Sequence, residues 1–521
     1  MPKIEREIYS FAWFKNDEDQ GIRLNKSTSQ VKMCIQNLTG NMYNLKQRQA
    51  DRMRNNISSK KSAKHQFYIP SKKLPNSLSQ DVCHPLWKRI IHAIENGKVE
   101  PILEIIEKID KQKGSPCLPH PFKEAVDTFP VKNVRQGMCN FIFFSDSNNK
   151  NPWVLCQCTS FVDAIFSETF SSKHKSSISD DTILNSVKRV LKKEGKKKSK
   201  QRGSQKAIFT GYLLDQTRPY HHFYDQLKWM VNLETKKPVV SNSSFFSPKY
   251  LNNNASLKGK NRAKFSMFPL VIGSNQLGMK LDQYTEKMEN VVYQDSLKSL
   301  PGGMMNYRWS KLIKKLKRLS GRNRTLTLWF GISGQKRIWV EQEDFLPALV
   351  EQLKPWFDSF VFLIDGFTQY EDDNYSAIKG SKATPVSQDL EVVDSIRQKL
   401  LPYSNASVIS LIGQTYRKKI QQCQSADFFI ANAGAGQLVP HRFCKKPGIL
   451  HSNEKHCVFP MGINNTTVKL VDKSLVKDVG NLFAKGKRAE RSGTGLISYS
   501  IDVKIFIEMI TEMLKLCEQG G

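Results

Sequence analysis

The chain has 521 residues, only 39% of them hydrophobic, and a formal net charge of +32. That length exceeds one ordinary core, so two domains with additions are expected. No apolar run approaches the roughly 20 residues that span a bilayer, and the ten cysteines form no CxxC pair, which excludes a recognisable zinc or disulfide framework and fits a reducing compartment.

Residues 1–83 read as a basic polar extension, partly disordered. The start, MPKIEREIYSF, lacks the apolar segment of a signal peptide, so a cytoplasmic location is expected. From 84 to 125 the pattern is a helical hairpin. Leu86, Ile90, Ile91 and Ile94 share one face, Gly97 ends that helix, and Pro101 opens another carrying Ile102, Ile105, Ile106 and Ile109.

Residues 126–305 read as an N-terminal α/β domain, with strands at Phe141–Phe144, Trp153–Cys156, Ala207–Thr210 and Pro269–Ile272. Cys156 and Cys158 would be small core residues on one side of a strand. A lysine-rich insert, 188–205, interrupts the domain. Nine of the fifteen residues 188–202 are Lys or Arg, as are seven of 310–324, a density that makes these runs solvated surface or contacts for a polyanion, such as an anionic membrane's inner face. The stretch RPYHHFYD, Arg218–Asp225, follows a strand and opens a helix. Its His222 and Asp225 are candidate catalytic groups, since a histidine titrating near 6.5 suits a base that deprotonates a hydroxyl. One of His221 and His222 would otherwise cap the helix.

Residues 320–485 show the clearest order. Apolar strands at Leu326–Phe330, Phe360–Ile364, Val408–Ile412, Asp427–Ala431 and near Ile449 alternate with helices. One helix places Phe345, Leu346, Leu349, Val350 and Leu353 on one face, and another places Val392, Val393, Ile396 and Leu400. Strands apolar on both faces, separated by helices, predict a doubly wound parallel sheet whose ligands sit at the strands' carboxyl ends. Gly331–Arg337, Asp365, Gly413–Gln414 and Asn432–Gln437 should converge there. A nucleotide's phosphates would be held by Ser333, Gly334, Lys336, Arg337, Asp365, Asn432, Gly434, Ala435, Gly436 and Gln437. Glycines at a strand-to-helix turn admit a phosphate to free backbone N–H groups. The acidic run Glu371–Asp373 reads as solvated, and no metal site is expected. In 498–521, Val503, Phe506, Ile507, Ile510 and Met513 line one face of a terminal helix.

On these residues a resemblance can be named. GISGQKRIWVEQEDFLPALVEQL resembles the opening of the C-terminal domain of GT-B glycosyltransferases of the heptosyltransferase kind. ADFFIANAGAGQLVPHRFCKKPGIL is similar to that family's strand, glycine turn, helix and Lys-Pro strand, and to the Gly-Ala-Gly element of capsule-type enzymes. About 130 residues carry it. Where the heptosyltransferase turn reads Asp-Ser-Gly-Pro, this chain has Asn432-Ala433-Gly434-Ala435. The resemblance implies an α/β protein with two Rossmann-like domains facing a cleft. It also implies metal-independent sugar transfer in surface glycan synthesis, from a nucleotide-sugar to a glycan or other hydroxyl acceptor, with no cofactor beyond that donor. Two other readings stand beside it. Ala433–Gly436 resembles the short glycine loop of adenosylmethionine-dependent methyltransferases. The charge alone suits a nucleic-acid binder, although no reading module is recognisable, so no specific nucleic acid is expected.

Overall fold

The computed structural model describes residues 6–12, 64–112, 115–174, 179–194, 206–214, 216, 218–235, 244–251, 264–268, 283–298, 324–334, 336–371, 383–457, 467–480, 482 and 497–519. The chain divides into two compact units. One comprises Met1–Leu213, Leu233–Val240 and Asn253–Leu277; the other comprises Leu214–Asn232, Ser241–Asn252 and Gly278–Gly521. Most of the basic runs, and the strand expected at Pro269–Ile272, lie outside the described residues.

In the first unit, strands β1 (Arg6–Ala12) and β2 (Lys64–Pro70) pair antiparallel. Six more strands form a meander in chain order: β3 (Leu118–Pro119), β4 (Asp127–Gln136), β5 (Cys139–Ser145), β6 (Trp153–Gln157), β7 (Ala164–Ser167) and β8 (Ser171–Lys173). Every neighbouring pair in it is antiparallel. The expectation of a second Rossmann-like sheet in this region is therefore corrected. Its physical source is burial, because every residue of β5 and β6 is buried. Phe141, Phe143, Val154 and Cys156 share a core with Ile183, Val187 and Leu191 of helix α3 (Asp180–Glu194). Phe144 stacks on Trp153 at 4.1 Å, and Trp153 meets Trp87 of helix α1 (Pro85–Glu95) edge-on at 5.3 Å. A strand covered on both faces has an unbroken apolar run whatever its direction.

Two further expectations change here. Phe67 and Ile69 of β2, with Leu74, belong to this core rather than to a polar extension. Strands β9 (Ile208–Tyr212) and β10 (Lys264–Met267) form a separate parallel pair. The helical hairpin is present as α1 and α2 (Glu100–Lys111), with its isoleucines buried.

The second unit is an α/β domain built on a six-stranded parallel sheet. Its strands are β11 (Thr325–Gly331), β12 (Ser359–Asp365), β13 (Ala406–Ser410), β14 (Phe428–Asn432), β15 (Gly448–His451) and β16 (Val468–Leu470). Their spatial order is β13-β12-β11-β14-β15-β16, all parallel. Counted from β11, that is the 3-2-1-4-5-6 order of doubly wound nucleotide-binding sheets, whose switch point lies between the first and fourth strands. Two glycines permit the close pairing. A Cβ on Gly331 would press on the Ala431 backbone at 3.3 Å, and one on Gly448 would lie 2.3 Å from the Phe429 carbonyl oxygen.

Helix α4 (Gln283–Lys298) and the helical stretch 219–232 also belong to this unit. In it, α5 (Phe345–Leu353) and α6 (Ala383–Leu400) bury the faces expected from the sequence. Helix α7 (Tyr416–Cys423) precedes β14, and α8 (Val503–Gln519) packs Phe506, Ile510 and Met513 into the core of its own sheet. A last antiparallel pair, β17 (Val476–Gly480) and β18 (Ser498–Ile501), is tied to the segment after β11: Val340 N donates to Tyr499 O and Tyr499 N to Ile338 O, both at 3.0 Å. Glu371 is no solvated acid, since Arg417 Nε reaches its Oε1 at 2.9 Å; Asp372 and Asp373 lie outside the described residues.

One buried charge pair anchors the carboxyl edge. Lys419 of α7, fully buried, reaches Asp365 at the end of β12 at 2.5 Å and also donates to Gly366 O, Phe367 O and Thr368 Oγ1. Replacing Asp365 by Ala strands a buried ammonium, so the unit should lose about 3–5 kcal/mol in a denaturant titration. A loss below about 1 kcal/mol would show that the pair is solvated.

Candidate functional site

The loops after β11 and β14 meet at the switch point. Arg337 holds a left-handed backbone, φ 50°, and its Nη1 donates to Ala433 O at 3.3 Å. The guanidinium lies against Gly434, where a Cβ would come within 3.2 Å of Nη2. At φ 116° and ψ −133° Gly434 also has a backbone that side chains disfavour. Burial holds the guanidinium below its ordinary pKa range, and its Nε is buried without a partner. Lys336 beside it is exposed, and its ammonium is held down by partial desolvation and then by the cations Arg218 and Arg337. Three cationic side chains thus gather at one edge of the sheet. Ala435 is exposed and Gly436 half-exposed, and a Cβ on Gly436 would meet only Asn432 Cβ at an ordinary 3.6 Å.

The remaining expected residues are already engaged. Ser333 N donates to Gln342 Oε1 at 3.1 Å, and its hydroxyl bonds Lys336 O at 2.7 Å. Gly334 N donates at 2.8 Å to Asp389 Oδ1, whose other oxygen accepts from Phe367 N at 2.7 Å. The Asp389 carboxylate of α6 therefore stands where a phosphate on the first loop's amides would stand. Asp365 is held by Lys419, and burial pushes its pKa up against that partner. Gln437 is buried, with Oε1 2.9 Å from His441 Nδ1. Ser333, Gly334, Asp365 and Gln437 shape the site rather than face a ligand, whereas Lys336, Arg337, Asn432, Gly434, Ala435 and Gly436 form its open part.

The two catalytic candidates separate. His222 is fully buried, ringed by Phe223 and Phe245, with Nε2 2.9 Å from Phe246 O, and burial pushes its pKa down to about 3. A sealed imidazole cannot meet an acceptor, so His222 is a core histidine. Its neighbour is the residue that pairs with Asp225: His221 Nδ1 lies 2.5 Å from Asp225 Oδ2, with the Asp225 side chain buried and that of His221 partly open. Successive residues of a helix point about 100° apart, and here that difference leaves His222 sealed and His221 partly open.

Two groups at the edge carried no signal in the sequence pattern. Tyr499 of β18, fully buried, accepts from Asn432 Nδ2 at 3.0 Å and lies 2.7 Å from His451 Nδ1. His451 ends β15 and is a polar residue closing an apolar strand; Tyr499 arrives from a later segment.

Comparison of the chain with family models, with curated proteins and with solved structures returns no match. Among the described residues no group of three His, Cys, Asp or Glu is placed to hold a metal ion, and no helix is long and apolar enough to cross a membrane.

Burial pushes His222, His441 and His451 of this unit down to about 3. They are neutral when folded and take up protons on unfolding below about pH 6.5. Stability is then greatest above that pH and falls on acidification, by up to about 1.4 kcal/mol per pH unit for each histidine. Melting temperatures should drop steadily from pH 7 to pH 5; a flat profile would contradict the sealed environments.

Proposed function

We propose that this chain is a glycosyltransferase that binds the diphosphate of a nucleotide-sugar at the switch point and transfers the sugar to a hydroxyl of a glycan or other acceptor. The observation that carries the reading is the contact of Arg337 with the Ala433–Gly434 turn, which brings a cation, a second cation at Lys336 and an open glycine turn to one crevice. Preorganised donors aimed where leaving-group charge develops lower the barrier to its departure. His221, its Nδ1–H held by Asp225, presents Nε2 as the base. That nitrogen takes the acceptor hydroxyl's proton, the oxygen attacks the anomeric carbon, and the bond from that carbon to the phosphate oxygen breaks as the nucleoside diphosphate leaves with the electron pair.

The reading rests on the parallel-sheet unit alone; the antiparallel unit does not repeat it, which removes the support that a two-domain Rossmann plan would have lent. The basic runs 188–202 and 310–324 would serve an anionic membrane face or a polyanionic acceptor. The adenosylmethionine reading is disfavoured by Asp365. An acidic residue at the end of the second strand commonly takes the ribose hydroxyls in such sheets, and here Lys419 already holds it.

The test is a thermal-shift panel with UDP, GDP, ADP, CMP and adenosylmethionine, in which a ligand of the native state raises the melting temperature. One nucleotide should shift wild type. Gly436→Val, which the fold has room for, should abolish the shift, and Arg337→Ala should weaken binding by about 1.5–3 kcal/mol. His221→Gln should leave binding intact and slow consumption of the matching nucleotide-sugar by about 100-fold or more. Wild-type affinity in a folded Gly436→Val protein, or a shift with adenosylmethionine alone, would overturn the assignment.

A further inference from the structure

We propose that Asn432 reads a hydroxyl of the phosphorylated ligand, and that Tyr499 and His451 are positioning residues that aim it. This deepens the nucleotide-sugar reading and rests on it. Asn432 ends β14 and stands at the mouth of the Gly434–Gly436 turn, its Cβ 3.6 Å from where a Gly436 Cβ would be. Its Nδ2 donates to the Tyr499 hydroxyl at 3.0 Å, and that hydroxyl lies 2.7 Å from His451 Nδ1. Tyr499 and His451 are sealed, at 0% and 1% exposure, so water cannot substitute in the chain.

With Asn432 Nδ2 donating to the Tyr499 oxygen, the hydroxyl proton is directed to His451 Nδ1, which accepts it in the neutral tautomer that carries its proton on Nε2. The Tyr499 oxygen then has only lone pairs for Asn432, and the carboxamide cannot turn over without setting oxygen against oxygen. The outcome is a fixed acceptor: Asn432 Oδ1 has no protein partner among the described residues and is not among the sealed atoms. An acceptor beside Arg337 suits a hydroxyl carried by the same molecule as the phosphate. Two sources share that chemistry, the ribose of the nucleotide and the sugar to be transferred.

The experiment is calorimetric titration of wild type, Tyr499→Phe, Asn432→Ala and the double variant. The probes are the tightest binder among UDP, GDP and ADP, its glucose conjugate, and inorganic pyrophosphate, with each variant's fold checked by melting. Each single variant should lose about three- to ten-fold in affinity for a hydroxyl-bearing probe and nothing for pyrophosphate. The double variant should lose no more than Asn432→Ala, because Tyr499 acts through Asn432. A loss already present with the nucleoside diphosphate identifies the ribose; a loss confined to the conjugate identifies the sugar. Equal losses on pyrophosphate would reduce the chain to a structural role, and unchanged affinity for every probe would refute it. If Tyr499→Phe does not fold, Asn432→Ala decides alone. If wild type binds no nucleoside diphosphate, the nucleotide reading itself fails and takes this inference with it.

Discussion

Strand β11 lies between β12 and β14 and hydrogen-bonds to both, and this placement governs the domain. The chain winds outward from β11 in one direction, returns, and winds outward in the other. Loops leaving two adjacent strands then diverge to opposite faces, and a crevice opens between them. The pairing needs a small residue at the contact, which Gly331 supplies against Ala431. Everything at the candidate site follows from it: the Arg337 loop leaves β11, the glycine turn leaves β14, and only adjacency lets the guanidinium reach Ala433 O.

The same edge shows how internal groups choose between possible anion sites. The amide of Gly334 is already satisfied by the Asp389 carboxylate, which also holds the loop after β12 through Phe367 N. A Cβ at Gly334 or Gly366 would collide with Gln388 or Asp389, at 2.9 and 2.6 Å. These glycines make room for α6, not for a ligand. With the first loop's amide engaged, the charge at this edge is left to Arg337, Lys336 and the turn after β14. Buried hydrogen bonds to charged groups are costly to leave unmade, so the fold settles this division before any ligand arrives.

The first unit illustrates the limit of hydrophobic pattern. Its strands β5 and β6 are as apolar as those of the parallel sheet because helices or other side chains cover both faces. Connection length separates the two cases. Residues 146–152 join β5 to β6, fewer than the dozen or more that a parallel crossover requires. Gly137, at φ 59°, closes the turn between β4 and β5, a position where glycine is favoured in two-residue hairpins.

The central strands of the parallel sheet were legible along the chain because β11, β12 and β14 are continuous apolar runs and the helices between strands carry their own stripes, signals local to ten or twenty residues. The glycine turn and the cations after β11 were legible for the same reason. The three-residue edge strand β16, Val-Lys-Leu, carries no such run and was not legible. What the tertiary structure alone decided was which polar groups remain open. Asp365 met Lys419 and Gly334 met Asp389 across 54 and 55 residues of chain. His222 turned inward while His221 took Asp225, one residue's rotation about the helix axis. Tyr499 reached Asn432 from 67 residues away. Residue type and spacing state what a side chain can do. Whether it is sealed, paired or free depends on partners that only packing brings within hydrogen-bond range.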